Sequence, residues 1–384
     1  MEHHFTGPPY TLGVEEELMI VDARTMDLVS AIEEMMISVP RETEGQVKPE
    51  LLQSVLEIST DVCRNAGEAA GQLEELRRRV RETAEKKGLT IASAATHPFA
   101  KWEEQQIVDR DRYHELVDAL AFVVRQELLF GLLVHVGIDE PEKAIHVANG
   151  MRVHIPILLA LSTNSPFWRG LPTGLMSTRT PIFRLLPRAG VPQRFDGWTD
   201  YQSRIEFMVE AGAVQDYTFL WWDVRPHPKF GTIEVRSCDA QTRLEHTIGL
   251  AALIQAMAKE LAEHHEAGYE LGSFPHELLE ENKWLAARYG LEGELIDLPH
   301  SSRVPARELA RRLVDRLTPH ARELGSEREL EAVTDLVEGG TGAERQLAEW
   351  RADRDLRGLV SKIAAATARG ITGRIGDKSA RAGA

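Results

Sequence analysis

Residues 11 to 21 show the clearest alternation of apolar and other side chains in the chain. A period of two predicts a strand with one face in the core. Glu15 and Glu17 fall on the second face. Glu16 shares the apolar face, so we expect removal of its charge to leave activity intact and to stabilise the fold. The apolar face carries Leu12, Val14, Leu18 and Ile20, and the second face also carries Gly13 and Met19.

The remaining pattern alternates between helical and strand periods. Apolar residues at a spacing of 3.6 predict a helix over 65–88 that ends at Gly88. Residues 111–139 read as a helix running into a strand near His135, and 217–240 read as a hairpin with a Pro/Gly turn. Further predicted elements are a strand at 89–98 and helical segments at 140–166, 240–268 and 305–337.

This order of elements predicts an α+β fold with a mostly antiparallel sheet, because strands and hairpins are interrupted by long helices without a regular βαβ alternation. We find no internal repeat and no linker-like change in composition. The expected organisation is a flexible N-terminus at 1–10, one catalytic domain at 11–369 and a disordered basic tail at 370–384.

Charge and cysteine content narrow the class of protein. The formal net charge of -15 disfavours a nucleic-acid or anionic-membrane partner. Two cysteines, Cys63 and Cys238, are too few for a disulfide framework, and the N-terminus has no apolar signal core. No run approaches the ~20 apolar residues that span a bilayer. We therefore expect a cytoplasmic protein in a reducing compartment.

Glycine motifs for phosphate binding are missing from the sequence. There is no GxxxxGK[ST], and the one glycine cluster, "EGGTGAE" at 338–344, follows a predicted helix rather than a strand. Neither a P-loop nor a dinucleotide fingerprint is supported.

The strand at residues 11–21 brings two carboxylates together. Glu15 and Glu17 point to the same face roughly 7 Å apart. Two ionised carboxylates side by side repel each other, so the pair is stable when it is hydrated, when one is protonated, or when a cation lies between them. A solvated face or an edge strand protected by charge is the alternative.

A second strand presents charged groups opposite a core face. In "GTIEVRSCDA", Ile233 and Val235 share the core face, and Arg225 precedes the turn of the same hairpin. A salt bridge between Glu234 and Arg236 is the alternative interpretation. The face opposite the core is expected to carry Thr232, Glu234, Arg236 and Cys238.

Two further stretches carry candidate ligands. Glu50, Gln53 and Glu57 form one stripe if "KPELLQSVLEIST" is helical, although "VLEIST" can equally begin a strand. His135 lies between valines, where simple packing is the alternative. Carboxylates from several strands with a histidine and arginines suit Mg²⁺ or Mn²⁺ and phosphate. Zinc is disfavoured because there is no HExxH or CxxC.

Seven blocks of the sequence, in this order, resemble the YbdK-type carboxylate–amine ligases, also called type 2 glutamate–cysteine ligases. The resemblance runs from about Thr11 to the 340s, and it implies a glutamine synthetase-like fold in which a curved antiparallel sheet forms a funnel for ATP and metal ions. It also implies small-molecule carboxylate and amine substrates and a homodimer. The blocks are "TLGVEEEL", "ELLQSVLEISTDVC", "THPF" with "KW", "HVGID", "LALSTNSPFWRG" with "STR", "WDVRPHPKFGTIEVRSCD" and "RYGLEG".

The resemblance assigns roles to individual residues. Arg236 in "EVR" and Arg179 in "STR" correspond to positions that hold phosphate or a substrate carboxylate, and Arg225 and Arg288 are expected to bind ATP or substrate. One departure is Leu133, because relatives can read "HVHVG" where this chain has Leu133-Val134-His135. The implied metal ligands are Glu15, Glu17, Glu50, Glu57, His135 and Glu234.

The implied reaction is amide formation through an acyl phosphate, because a carboxylate is a poor electrophile until ATP phosphorylates it. Metal ions and arginines would stabilise charge on the transferred group. Two alternatives stay open from the sequence: phosphoryl transfer to another acceptor such as water or a guanidine, and a non-catalytic protein that binds ATP or an amino acid.

Overall fold

The computed structural model describes residues 1–39 and 43–370. The strands are β1 Leu12–Asp22, β2 Val47–Pro49, β3 Val55–Ser59, β4 Leu89–Ala92, β5 Gly131–Gly137, β6 Phe167–Trp168, β7 Leu171–Pro172, β8 Val224–His227, β9 Thr232–Asp239, β10 Glu294–Asp297 and β11 Ser302–Pro305. The helices are α1 Ile32–Ser38, α2 Ala66–Glu85, α3 Asp111–Leu120, α4 Phe122–Arg125, α5 Pro141–Ser162, α6 Arg179–Phe183, α7 Trp198–Glu210, α8 Leu244–Glu266, α9 His276–Tyr289, α10 Ala306–Glu323, α11 Glu327–Gly339, α12 Gly342–Asp353 and α13 Leu356–Thr367.

Seven strands form the main sheet, in the order β2-β3-β1-β5-β9-β8, with β4 paired to the C-terminal half of β1. Every pair in this sheet is antiparallel. Two short hairpins, β6-β7 and β10-β11, lie outside it. The predicted α+β class with a mostly antiparallel sheet is confirmed.

Burial alternates along β1 from Leu12 to Leu18 as predicted, whereas Met19 on the second face is also buried. Residues of the predicted core face are buried, and Gly13, Glu15 and Glu17 are only partly buried. Helices α2, α5 and α8 pack on the core side of the sheet, where they share one large apolar cluster with β1, β5 and β9. Because this face of the sheet is covered by helices, the opposite face is left to carry polar groups.

Glu16 lies on the core face as predicted, but its surroundings are not purely apolar. The guanidinium of Arg77 on α2 grips both carboxylate oxygens, with Nε donating to Oε2 (2.8 Å) and Nη2 to Oε1 (2.6 Å). Thr247 on α8 also donates to Glu16. Both partners of the ion pair are buried. The expectation that removing the charge of Glu16 stabilises the fold is therefore wrong.

A β-bulge in β9 changes the predicted side-chain order. Val134 of β5 pairs with Val235, but Leu132 pairs with Cys238, so β9 carries one extra residue between these pairs. The extra residue reverses the alternation beyond Arg236. Cys238 therefore joins Ile233 and Val235 in the core cluster, and the prediction that it shares the face of Glu234 is wrong.

Local sequence explains the predicted helix α2. The side chain of Asn65 caps its N-terminus by accepting from the backbone N–H of Glu68. Leu73, Leu76 and Val80 are buried as their spacing predicts. Gly88, at φ +71°, stands in the left-handed region just beyond the helix.

The N-terminal residues pack against the rest of the fold. Phe5 is fully buried, and His4 donates its backbone N–H to Pro228 in the β8-β9 turn. The aromatic ring of Phe5 packs edge-on against Trp198. This packing differs from a flexible N-terminus because an apolar side chain here completes the core. The predicted tail lies, apart from residue 370, outside the described residues.

Helix α5 is the central helix of the core. Among the described residues it is the one helix that is long and apolar enough to cross a membrane by length and composition, and 83% of its most apolar stretch is buried inside the protein. Its apolar surface is explained by contacts with α8, α9 and β9.

Candidate active site

The face of the sheet opposite the main core brings distant residues into register. Glu17 on β1 lies directly opposite Glu57 on β3. His135 on β5 lies opposite Glu234 on β9, which in turn faces Arg225 on β8. Cross-strand neighbours have Cβ atoms about 4.5–5.5 Å apart, so five charged or titratable side chains meet on one surface. Residues 55–59 form a strand, so the helical stripe through Gln53 is not found.

Four carboxylates crowd one part of this surface. Burial, followed by repulsion from Glu57 and Glu234, raises the pKa of Glu15 to about 8. Burial also raises the pKa of Glu17, and it raises that of Glu50 well above its ordinary value with a further contribution from Glu57. The cluster holds more negative charge than its surroundings neutralise.

Lys48 supplies part of the missing positive charge. Its Nζ donates to Glu57 Oε1 (3.2 Å) across the β2-β3 pair. Burial alone would lower the pKa of Lys48, but Glu57 and Glu15 together raise it. The half-exposed ammonium group of Lys48 therefore lies near two of the carboxylates. No sequence pattern indicated this residue.

Glu234 is held between two arginines. Arg225 Nε donates to its Oε2 (2.7 Å), and Arg236 Nη1 donates to its Oε1 (2.5 Å). Burial alone would raise the pKa of Glu234, but these guanidinium groups hold it well below its usual range. The alternative interpretation, a salt bridge between Glu234 and Arg236, is thus present, and its carboxylate is buried. Arg225 also donates to two backbone carbonyl oxygens.

His135 lies between the two groups of carboxylates. Its Nε2 is 3.9 Å from Glu15 Oε1 and 3.7 Å from Glu234 Oε1. Its Nδ1 forms a hydrogen bond with Thr232 Oγ1 (2.9 Å), which orients the ring. Burial, opposed by Glu234, lowers the pKa of His135. A neutral imidazole with one nitrogen turned toward carboxylates is more than a packed core residue.

Arg179 approaches the same surface from the start of α6. Its Nη2 donates to the backbone oxygen of Arg236 (3.0 Å). Gly131 makes this approach possible: a Cβ there would lie 2.8 Å from Arg179 Nη2 and 3.3 Å from Glu17 Oε2. The N–H of Gly131 also donates to Glu17 Oε2 (2.5 Å). Arg179 and Glu17 are therefore neighbours.

Asp239 fixes the loops that carry Arg179. The buried carboxylate accepts from the N–H of Asn164 and the hydroxyls of Ser165 and Ser177. The hydroxyl of Ser165 in turn accepts from the N–H of Arg179 (3.2 Å). One carboxylate at the end of β9 thus joins the "STNSP" and "STR" segments, a role that sequence analysis missed although the aspartate ends the hairpin motif.

A cavity of about 140 Å³ opens between the charged surface and helices α3, α4 and α6. Glu127, which follows α4, contributes a carboxylate that no sequence pattern indicated. In the described part of the chain Arg288 does not line the cavity; it stacks on Tyr289 and donates to Gly174. The charged residues of the cavity wall are Glu17, Glu50, Glu127, Arg179 and Arg236.

The carboxylates of this surface are candidate ligands for a divalent cation. Within the described residues, no three His, Cys, Asp or Glu side chains are already arranged to hold an ion. Glu15, Glu17, Glu50 and Glu57 nevertheless have the chemistry that Mg²⁺ and Mn²⁺ require, because they are oxygen donors whose mutual repulsion a cation would relieve. The chemistry of the donor set therefore fits such an ion.

Solved structures share the architecture of this protein. The structure resembles that of a glutamate–cysteine ligase from Francisella tularensis in complex with AMP, with a TM-score of 0.70 at 13% identity over 94% of this chain and 89% of that one. It also resembles a bifunctional glutathione synthetase from Pasteurella multocida, with a TM-score of 0.67 at 16% identity over 92% of this chain and 50% of that one. At these identities the likeness establishes the fold.

Sequence comparison then identifies the family. The family model described as "Glutamate-cysteine ligase family 2 (GCS2)" matches residues 11–363, and the chain belongs to this family. It is 45% identical over 95% of its length to a candidate glutamate–cysteine ligase 2-1 of Rubrobacter xylanophilus, covering 96% of that protein. It is 43% identical over 92% of its length to a candidate glutamate–cysteine ligase 2 of Sorangium cellulosum, covering 95% of that protein. The resemblance in the sequence blocks is confirmed.

Proposed function

We propose that the protein is an ATP-dependent carboxylate–amine ligase of the glutamate–cysteine ligase type. The observation that carries the proposal is one cavity wall on which Arg179 and Arg236 stand beside Glu17 and Glu50. The guanidinium groups beside this carboxylate cluster can neutralise the negative charge of a polyphosphate during phosphoryl transfer. Family membership and the ligase fold support the same activity.

Each residue of the site has a separate role in the proposed reaction. The γ-phosphoryl group of ATP passes to a substrate carboxylate, and the resulting acyl phosphate is attacked by an amine with release of phosphate. Arg236 and Arg179 stabilise the negative charge on the transferred group, for which a guanidinium fork is well suited. Glu234, held between two arginines, fixes the orientation of Arg236. His135, oriented by Thr232, turns its second ring nitrogen toward Glu15.

We propose that Glu15, Glu17, Glu50 and Glu57, with His135 and Glu234, hold Mg²⁺ or Mn²⁺. When bound by these residues, such an ion would supply positive charge that neutralises the phosphate groups of ATP. The raised pKa of Glu15 supports this assignment because a carboxylate cluster short of positive charge favours a cation. Before the ion binds, Lys48 and Arg236 hold the nearest oxygens of Glu57 and Glu234.

Phosphate release from ATP tests the proposal when it is measured with carboxylic acids and amines separately and together. A ligase requires Mg²⁺ or Mn²⁺, an acid and an amine, and it forms one amide for each phosphate. Phosphate release with water alone would indicate an ATPase, a phosphorylated product without amide would indicate a kinase, and ATP binding without turnover would indicate a non-catalytic protein. Arg179→Gln should lose at least ~10²-fold in kcat if its charge stabilises the transition state.

Two attributes of the whole protein accompany this proposal. Cytoplasmic location is supported by Cys63 and Cys238, which are both free and buried. A homodimer, implied by the resemblance, is tested by light scattering at micromolar concentration. The single catalytic domain at 11–369 stays a prediction, which limited proteolysis followed by an activity measurement would test.

A further inference from the structure

A second cavity lies between the start of α8 and helices α12 and α13, and within the described residues it shares no lining residue with the active-site cavity. Its volume is about 430 Å³, and sites for small molecules usually span roughly 300–1,000 Å³. The glycine cluster "EGGTGAE" at 338–344, which fits no phosphate-binding motif, contributes Gly342 to the wall. The cavity is large enough for a metabolite, and the proposed reaction does not use it.

Four cationic side chains line this second cavity. They are Arg243 before α8, Arg345 on α12, Lys362 on α13 and Arg369 just after α13. Of the described residues in the wall, Glu349 is the one carboxylate. Its Oε2 accepts from Lys362 Nζ (2.6 Å). These two charges neutralise each other, so the three arginines determine the charge of the cavity.

The three arginines outnumber the carboxylates beside them. Asp335 Oδ2 accepts from Arg345 Nη2 (2.9 Å) and lies 3.6 Å from Arg243 Nη1. Arg369 has no ion-pair partner in the part of the chain that the structure describes. Burial, followed by repulsion from Arg345, lowers the pKa of Arg243, although Asp335 and Glu245 oppose the change. The cavity is therefore short of negative charge.

The remaining wall of the second cavity is largely apolar. Leu359, Ile363, Ala365 and Ala366 on α13 provide this surface. An apolar body would cover it, whereas a bare inorganic ion would leave it in contact with water. Guanidinium groups match the oxygens of a phosphate with two parallel hydrogen bonds. We propose that this cavity is a second binding site, for an organic phosphate in which a dianionic phosphate group is joined to an apolar body.

Residues of the same wall hold Asn164, which lies beside the loops of the active site. Asn164 Nδ2 donates to Thr242 Oγ1 (3.1 Å), and its Oδ1 accepts from Gln346 Nε2 (2.8 Å). The N–H of Asn164 donates to Asp239, the carboxylate that fixes the segment of Arg179. A ligand that contacts Thr242 or Gln346 should therefore order the segment that carries Arg179. The binding site itself does not depend on the proposed ligase activity.

Calorimetric titration of the full-length protein tests the class of ligand. Phenyl phosphate should bind at least ~10-fold more tightly than inorganic phosphate, because its ring covers apolar surface. It should also bind at least ~10-fold more tightly than phenylacetate, which carries a single negative charge. Inorganic phosphate binding as tightly as phenyl phosphate would indicate an adventitious ion only and overturn the proposal. Equal binding of phenylacetate would overturn the assignment of a phosphate.

Variants of the wall connect binding to this cavity. Arg369→Gln and Arg243→Gln should each weaken phenyl phosphate by about 10-fold, and Arg369→Gln should keep the melting temperature because no ion pair to a described residue is lost. Arg351→Gln is the matched control, since Arg351 on α12 is exposed and stands outside the wall. Affinities unchanged in both wall variants, or a loss caused by Arg179→Gln instead, would overturn the proposal.

Acetylation of individual lysines, followed by mass spectrometry, locates the bound ligand. Lys362 and Lys101 are well matched, because their side chains are 51% and 54% exposed and each forms an ion pair with a glutamate. At ten times its dissociation constant, phenyl phosphate should slow acetylation of Lys362 by about tenfold, as the occupied fraction requires. Lys101 should react at an unchanged rate. Equal slowing of both lysines, or of neither, would contradict the assignment.

Hydrogen exchange tests the link to the active site without relying on turnover. Phenyl phosphate should slow exchange in residues 175–183 of the wild-type protein by about threefold or more, and should have less effect in Arg369→Gln at the same concentration. The β10-β11 hairpin is the control, because it contributes no residue to the wall. Unchanged exchange at 175–183 with the cavity occupied would overturn the link. Protection of equal size in Arg369→Gln would show that the ligand acts at the active site instead.

Discussion

Arg77 on α2 grips Glu16 on β1 through two parallel hydrogen bonds, on the side of the strand opposite Glu15 and Glu17. The same guanidinium donates to the backbone oxygens of Gln241 and Thr242, just beyond β9. One buried arginine therefore joins the first strand of the sheet to the segment that follows its last hairpin. The middle glutamate of "GVEEEL" is a structural residue.

Glu16→Gln should destabilise the fold while leaving the chemistry of the site intact. Removing one partner of a buried ion pair typically costs ~3–5 kcal/mol, because the other charge is left uncompensated. We expect a lower midpoint in urea denaturation and near wild-type kcat at a temperature where the variant is folded. Glu104→Gln, which removes an exposed partner of Lys101, is the control and should change little.

A double variant separates the charge from the packing. If the loss comes from an uncompensated Arg77, Glu16→Gln combined with Arg77→Met should recover part of the stability lost by the single change. A double variant less stable than the sum of the two single changes would show that the ion pair itself is not the cause.

Glu17→Gln should act on cation binding. Glutamine keeps the size and an acceptor oxygen but binds a divalent cation more weakly. We expect a normal fold, a higher Mg²⁺ concentration for half-maximal rate and a kcat lower by about 10² or more. The observation that would contradict this is an unchanged Mg²⁺ titration curve.

Glu15 should give the metal-free protein a pH-dependent stability. Its pKa is raised from 4.5 to about 8 in the folded state by burial and then by Glu57. Between these two values the folded chain holds a proton that the unfolded chain has released, so this contribution to stability falls as pH rises. Unfolding free energies of wild type and Glu15→Gln, measured from pH 5 to 8, should therefore diverge less at low pH. Identical slopes would show that Glu15 titrates normally.

Arg236→Lys should lose activity despite keeping the positive charge. A lysine cannot bond Glu234 and a phosphate or carboxylate oxygen with one planar fork, so kcat/KM should fall by about 10² or more. Arg204→Lys alters an exposed ion pair with Asp200 and serves as the control. A near wild-type rate for Arg236→Lys would reduce its role to a salt bridge.

Cys238→Ser should change kcat by less than about tenfold, because the residue faces the core and has no part in the proposed chemistry. Burial raises the pKa of the Cys238 thiol to about 12, so almost no nucleophilic thiolate exists at neutral pH. Steady-state rates and the reaction of the native protein with a thiol reagent check this. Rapid modification accompanied by inactivation would point to a covalent route.

The sequence pattern predicted the β1 faces and the β8-β9 hairpin because an antiparallel sheet with one buried face imposes a period of two. The pattern was ambiguous around Glu57, since short apolar runs fit both helix and strand. It was wrong at Cys238, because a single inserted residue in β9 reverses the alternation without any local signal in the composition.

The roles of some residues depend on tertiary contacts and could not be predicted from the sequence pattern. Arg77 sits on an amphipathic helix like several other arginines, and only the tertiary packing of α2 brings it to Glu16. Glu127 follows a four-residue helix and gains its interest solely from the cavity beside it. For the five proposed carboxylate ligands, the resemblance to a known family supplied roles that periodicity alone left open.

The strand order of the main sheet also has a consequence for how the protein folds. Glu17 contacts Gly131 across 114 residues of sequence, and His135 contacts Thr232 across 97. Closing loops of that length precedes the contacts that stabilise them, which slows folding in proteins rich in non-local pairing. During synthesis β1 can pair with β5 before β9 is made, so the part of the surface that carries Glu234 and Arg236 is added last.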